Sequence, residues 1–134
     1  KKPKIFQSWL LKYGKNKIIL GADVKNKFVH INGWLDKTDR EIHEFINYYC
    51  SKGVKYVICT DIKKDGMLHG PSFKLYQSIL KNSKIKLIGS GGISKINDID
   101  KLSKIGCYGA IIGKSLYEKK ISLKDIEKYI ITKC

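Results

Sequence analysis

Apolar residues recur along the chain in two alternating patterns, short continuous runs and stripes at helical spacing. The runs predict four strands, which begin at Ile18, Tyr56, Lys86 and Gly109. After each strand, and once before the first, apolar residues follow at the three-to-four-residue spacing of an amphipathic helix. This alternation predicts parallel strands joined by right-handed crossovers. The expected fold is therefore α/β, four βα units preceded by a helix, with Ile18–Leu20 in a strand covered on both faces.

Capping residues and glycines predict where the first helices begin and end. The first helix is expected to cover Ile5–Tyr13, to end at Gly14, and to bury Trp9 in the core. Thr38 or Asp39 is expected to cap the second helix, because either side chain can accept a hydrogen bond from a free backbone amide.

Two later helices carry similar signals. Ser72 is expected to cap a helix over Phe73–Asn82. Ser122 and Asp125 form a capping box at the start of the last helix. The apolar spacing in that helix predicts an inward face formed by Ile126, Tyr129 and Ile130.

A hairpin is predicted directly after the first strand. Asn26 is a tight-turn residue, and Phe28–Ile31 alternates as a half-exposed strand does. Gly33 and Trp34 then close this segment. A tryptophan here can either cover a ligand or fill the core.

The charge is strongly basic, but its distribution argues against nucleic-acid binding. The formal net charge is +15, and of the 27 basic residues Arg40 is the one arginine. Specific recognition of phosphates and bases relies on the bidentate guanidinium group, whereas these lysines are scattered along the whole chain. No apolar run has the length of a membrane span. We therefore expect a soluble cytoplasmic protein without nucleic-acid or membrane partners, whose charge helps to attract a phosphorylated substrate.

Neither a metal site nor a disulfide framework is predicted. The four cysteines lie far apart and form no C-x-x-C pair. His30, His43 and His69 fall on a strand, a helix and a loop without the spacing of metal ligands. Free or buried thiols are expected instead.

Polar residues and glycines follow each predicted strand. Asp23 ends the first strand, and Thr60 and Asp61 end the second, ahead of a loop rich in turn formers. Adjacent glycines follow the third strand, and glycine with lysine follows the fourth, so these two ends can cradle a phosphate. Asp23 as a turn former, Asp61 as an orienting residue of the loop, and tight turns at the glycines remain alternatives.

Four segments together resemble a known family. They are GADVKNKFVHINGW, TDIKKDGMLHGP, GSGGIS and IIGKSLYEKKISLKD, in that order. They resemble the C-terminal half of the phosphoribosylformimino-aminoimidazole-carboxamide ribotide isomerases of histidine biosynthesis, which are (βα)8 barrels. The resemblance implies that residues 1–134 form a single half-barrel with strands five to eight. It also implies an Amadori-type rearrangement of an aminoaldose to an aminoketose, without a cofactor or metal.

The resemblance implies a role for individual residues. Asp23 matches the catalytic acid, Thr60 matches a hydroxyl residue that orients the substrate, and Trp34 matches an aromatic residue of a mobile loop. Asp65 matches an acidic loop position, although Met67 replaces the threonine that usually follows in this motif. The residues that match the grip on one of the substrate's two phosphates are Gly91, Gly92, Ser94, Gly113 and Lys114; for Ser94 a helix cap is the alternative.

The family's base and second phosphate site belong to strands one, three and four, which these 134 residues do not include. The resemblance therefore implies a partner, the N-terminal half-barrel in the same or a separate chain, and predicts that this chain alone has no appreciable activity. Two alternatives stay open. They are the sister cyclase of the same pathway and a non-catalytic phosphate-binding module whose open sheet edges favour assembly.

Overall fold

A six-stranded sheet forms the centre of the computed structural model, which describes residues 3–133. The strands are β1 (Ile19–Lys25), β2 (Phe28–Ile31), β3 (Asp36–Glu41), β4 (Tyr56–Asp61), β5 (Lys86–Ser90) and β6 (Gly109–Ile111). The helices are α1 (Pro3–Tyr13), α2 (Ile42–Ser51), α3 (Phe73–Asn82), α4 (Ile96–Lys104), α5 (Lys114–Tyr117) and α6 (Leu123–Ile131).

The strand order is β3-β2-β1-β4-β5-β6, and β1, β4, β5 and β6 run parallel. These are the four strands that the apolar runs predict. Each of the connections β1–β4, β4–β5 and β5–β6 contains a helix. The α/β prediction is confirmed, and the architecture is consistent with part of a (βα)8 barrel.

The antiparallel ribbon β2–β3 extends the sheet beyond β1. Its turn lies at Asn26 and Lys27, with φ angles of 52° and 71°, as the hairpin prediction requires. The sequence prediction that Thr38 or Asp39 caps α2 is wrong, because both residues lie in β3. The Thr38 hydroxyl donates to the Val29 carbonyl over 2.7 Å, and the N-cap position is occupied by Glu41 without a side-chain hydrogen bond.

Two predicted inward faces differ from the structure. Trp9 is 51% exposed, and α1 instead buries Leu10, with Phe6 half-buried beside it. On α6, Ile126 packs against the core as predicted, whereas Ile130 is 55% exposed. These apolar faces lie on the first and last helices, where residues 3–133 supply no further helix to cover them.

The other helix limits agree well with the capping signals. α3 spans the predicted residues, and Ser72 occupies its N-cap position. The Ser72 hydroxyl donates to Asp61, however, and accepts no hydrogen bond from a helix amide. The capping box of α6 is confirmed, with the Asp125 amide 3.1 Å from the Ser122 hydroxyl. The short helix α5 was not predicted.

The sheet has one covered and one open face. On β1, Leu20, Ala22 and Val24 are buried, whereas Ile19 is 46% exposed. The expectation that Ile18–Leu20 is covered on both faces is therefore wrong. Side chains alternate along a strand, and within residues 3–133 the face to which Ile19 belongs is open at that residue, although Thr60 and Ser90 farther along the same face are buried.

Candidate active site

Three polar residues form a row across the open face at the carboxyl edge of the sheet. The strand register pairs Asp23 with Thr60 and Thr60 with Ser90. Adjacent strands lie about 4.8 Å apart, so the side chains of neighbouring residues in this row are within reach of one small ligand. Thr60 and Ser90 are buried, and Asp23 is half-buried. The structure thus brings together the two residues predicted to act in catalysis.

Trp34 is held against the candidate acid. Its indole Nε1–H donates to Asp23 Oδ2 over 2.9 Å, and the side chain stays 40% exposed. The backbone of Trp34 has a φ of 74°, in a turn in which Asn32 and Gly33 also have positive φ. The tryptophan is therefore neither a core residue nor remote from the site. Within residues 3–133 the indole is the one side chain that donates to Asp23, so Oδ1 is available to a ligand.

A small cleft of about 50 Å³ lies beside this row. Its volume corresponds to roughly four water molecules, which is comparable with one phosphate group. Five predicted substrate-binding residues line the cleft: Asp65, Gly91, Gly92, Gly113 and Lys114. The structure therefore brings the two predicted halves of the phosphate cradle together.

Ser94 lies outside this cleft. Its hydroxyl and its amide both donate to Asp98 Oδ2 over 3.0 Å, and the Lys95 amide donates to the same oxygen over 3.2 Å. Asp98 is buried. The Ser94 hydroxyl thus donates to a side chain of α4, but the N-cap position of that helix is Lys95, so the structure does not show Ser94 as the helix cap.

A loop from β4 packs directly on the glycine turn of the cleft. The Gly70 amide donates to the Gly92 carbonyl over 2.9 Å. A Cβ atom at Gly92 would lie 2.5 Å from the Gly70 oxygen, and one at Gly91 would lie 2.9 Å from the Asp61 oxygen. Both glycines also have positive φ angles, 95° at Gly91 and 81° at Gly92. Glycine is needed here for a close backbone approach, a role that the strand–glycine–helix pattern alone does not reveal.

Lys114 supplies the cation of the cleft, but it has an anionic neighbour. Its Nζ lies 3.5 Å from Glu118 Oε1, and the two side chains are 51% and 44% exposed. Such an exposed pair contributes little to stability. Glu118 therefore competes weakly with any anion that binds to Lys114.

The chain matches one protein-family model over most of its length. The model of the family described as "Histidine biosynthesis protein" matches residues 1–122. The chain belongs to the histidine biosynthesis protein family.

Curated relatives of this histidine biosynthesis protein carry a consistent name. The chain is 54% identical to the 1-(5-phosphoribosyl)-5-((5-phosphoribosylamino)methylideneamino) imidazole-4-carboxamide isomerase of Flavobacterium psychrophilum, with 99% of this chain and 56% of the relative aligned. It is 53% identical to the isomerase of that name from Flavobacterium johnsoniae, over 95% of this chain and 53% of the relative. It is 48% identical to the isomerase of that name from Parabacteroides distasonis, over 96% of this chain and 54% of the relative. The chain spans about half the length of the curated relatives it matches.

Burial raises the pKa of the Cys59, Cys107 and Tyr76 side chains in this histidine biosynthesis protein. Burial raises the pKa of the Cys59 thiol far above its ordinary value and that of Cys107 to about 11. Neither thiol is therefore an activated nucleophile. Burial also raises the pKa of Tyr76, whose hydroxyl donates to the Ser90 carbonyl over 2.6 Å and fixes the end of β5.

In the part of the chain that the structure describes, no group of three or more His, Cys, Asp or Glu side chains could hold a metal ion. Among the same residues, no helix has both the length and the apolar character needed to cross a bilayer.

Proposed function

We propose that this chain is the C-terminal half of an aldose–ketose isomerase of histidine biosynthesis. The proposed substrate is a bis-phosphorylated, N-linked aminoaldose, which an Amadori rearrangement converts to the aminoketose. One observation carries the proposal: the Asp23 carboxylate, which accepts the Trp34 indole N–H, lies in register with Thr60 and Ser90, and Ser90 lines a cleft of phosphate size. The names of the curated relatives support the same reaction class.

Asp23 would act as the general acid. It donates a proton to the ring oxygen of the ribose, the bond between that oxygen and C1′ breaks, and the ring opens. Thr60 lies beside it on β4 and would hold the substrate by a hydrogen bond. A base must then transfer a proton from C2′ to C1′, and the C2′ hydroxyl loses its proton as the carbonyl forms. That released proton restores the acid, so the rearrangement involves no net gain or loss of atoms. We assign that base to the part of the protein outside this chain.

The unpaired strand edges of the sheet support the proposal that this chain forms part of a barrel and not the whole of it. Within the described residues, β6 has no partner on its far side, and Ile19–Ala22 of β1 pairs with β4 alone. The exposed apolar faces of α1 and α6 lie at the two ends of the same chain. The proposed partner is therefore a second half-barrel, in this chain's own full-length protein or in a separate chain, and residues 1–134 would act as one half-barrel unit.

The test uses a chimera in which this chain replaces the matching residues of the Flavobacterium psychrophilum relative. The isomerase turnover and the substrate affinity of the chimera are measured. Asp23→Asn keeps the shape and hydrogen-bonding capacity of the side chain but removes the acid. We expect it to lower kcat by roughly 10²–10⁴-fold, the contribution typical of general acid–base catalysis, with little change in substrate affinity. Asp39→Asn, at an exposed position of β3, is the matched control.

Two results would contradict the proposal. An active chimera that tolerates Asp23→Asn would favour a phosphate-binding module without catalysis. Robust turnover by the purified 134-residue chain would show that no second half is needed.

A further inference from the structure

One carboxylate joins both ends of the loop between β4 and α3. Asp61 Oδ1 accepts the Lys63 amide over 2.9 Å, and Asp61 Oδ2 accepts the hydroxyl of Ser72, the residue before α3. The backbone carbonyl of Asp61 also accepts the amides of Lys64 and Asp65, each over 3.0 Å. The loop is thus closed on itself at its base.

The same residue faces away from the proposed substrate. Side chains alternate along β4, so Asp61 shares the covered face with Cys59, and Thr60 lies on the open face. Asp61 does not line the phosphate-sized cleft, whereas Asp65 and Gly66 of its loop do. Both carboxylate oxygens of Asp61 are already engaged by the loop. Asp61 therefore acts on a ligand through the loop and not by contact.

The loop in turn shapes the cleft. Gly70 is hydrogen-bonded to Gly92, and the backbone of Asp65 lies against Gly91, with its nitrogen 3.3 Å from the position of an added Cβ. Displacing the loop would remove this wall of the cleft and expose the glycine turn. A loop that is ordered beforehand spares the bound state the entropic cost of ordering it.

We propose that Asp61 is a positioning residue that, with Ser72, keeps the loop seated on Gly91 and Gly92 and so preforms the phosphate cradle before the ligand arrives. This inference rests on the proposed function to the extent that the cleft is taken to bind phosphate. The seating of the loop itself does not depend on that assignment.

The test follows the purified chain by amide hydrogen exchange and by titration with inorganic phosphate. Asp61→Ala and Ser72→Ala each remove the contact between the loop ends, and Asp61→Asn is the conservative variant that retains an acceptor for Lys63. Ser83→Ala is the matched control, because Ser83 lies at the other end of α3, is also half-buried, and donates to the Ile79 carbonyl over 2.7 Å.

Loss of a hydrogen bond to a carboxylate should speed exchange of the Gly70 amide by roughly tenfold in both alanine variants. We expect weaker phosphate binding by a similar factor, partial rescue by Asp61→Asn, and an unchanged exchange rate at Leu87 in the core of β5. Ser83→Ala should leave the loop and the phosphate affinity unaltered.

Equal exchange at Gly70 in the unaltered chain and both alanine variants would overturn the proposal. So would a loss of protection spread equally over Gly70 and Leu87, since that is the result of a purely structural role. If the unaltered chain binds no phosphate, the assignment of the cleft fails, and the exchange data still decide the role of Asp61.

Discussion

The ends of β5 and β6 have similar sequences but different structures. Each strand is followed by glycine and then a helix, and both ends line the same cleft. At the end of β5, Gly92 is tightly enclosed by the loop from β4. At the end of β6, a Cβ atom on Gly113 would meet no atom of residues 3–133 within 4 Å. A glycine is therefore sterically required only where a neighbouring segment approaches it closely. Gly113 has open space around it because β6 lies at the edge of the sheet.

The largest effect that should separate the two ends is that of Gly92→Ala. The added methyl group would lie 2.5 Å from the Gly70 oxygen, at a φ of 81° that alanine rarely adopts. We expect the free energy of unfolding to fall by about 2 kcal/mol, together with loss of phosphate binding. Urea unfolding and phosphate titration measure the two effects.

Gly113→Ala is the matched control for this substitution. Its φ of −111° lies outside the left-handed region, and an added methyl group would meet open space. Stability should therefore fall by less than in Gly92→Ala, by about 1 kcal/mol or less. Equal losses in the two variants would mean that the ends of β5 and β6 are packed alike, contrary to the structure.

A smaller effect concerns the cation at the end of β6. Lys114→Gln removes the charge of the one lysine that, among residues 3–133, lines the cleft. Phosphate affinity should fall by about tenfold, as for the loss of a hydrogen bond between charged groups. Isothermal titration of the purified chain with inorganic phosphate measures the loss. Lys104→Gln, on α4 and paired with Asp100, is the control. If both variants lose affinity equally, the binding depends on the overall basic charge and not on the cleft.

The smallest expected effect is that of Glu118→Gln. Removing this carboxylate frees Lys114 from its neighbour at 3.5 Å, and phosphate affinity should rise by about twofold, because an exposed ion pair is weak. The gain should shrink as salt is added. A decrease in affinity would show that Glu118 orients Lys114 for binding and does not compete with the anion.

Most of the fold follows from local sequence signals. The parallel strands β1, β4, β5 and β6 have apolar runs because the covered face of the sheet demands buried side chains. The strand β3 was missed because Asp36–Glu41 is entirely polar, and its pairing with β2 depends on backbone hydrogen bonds and not on burial. Trp9 was misassigned because helical spacing identifies an apolar face but not which of two faces meets the core.

The candidate site could be predicted from the sequence less completely than the fold. Glycine, lysine and acidic residues at strand ends indicate the cleft, since parallel strands deliver them to one edge. The contact between Asp61 and Ser72 was not predicted, because it joins two ends of a loop whose path the sequence does not define. Ser94 was assigned to phosphate by resemblance, whereas its hydroxyl donates to Asp98. A side chain's direction depends on packing partners that lie distant in sequence.

The hydrogen bond from Trp34 to Asp23 also gives the protein an intrinsic optical probe. The chain has two tryptophans, and Trp9 lies on α1, away from the carboxyl edge of the sheet. Replacing Trp9 by phenylalanine would leave a single indole, whose N–H is bonded to the candidate acid. The emission wavelength of that indole is then a direct signal of what happens at Asp23. Ligand entry becomes visible by fluorescence, without any need for turnover.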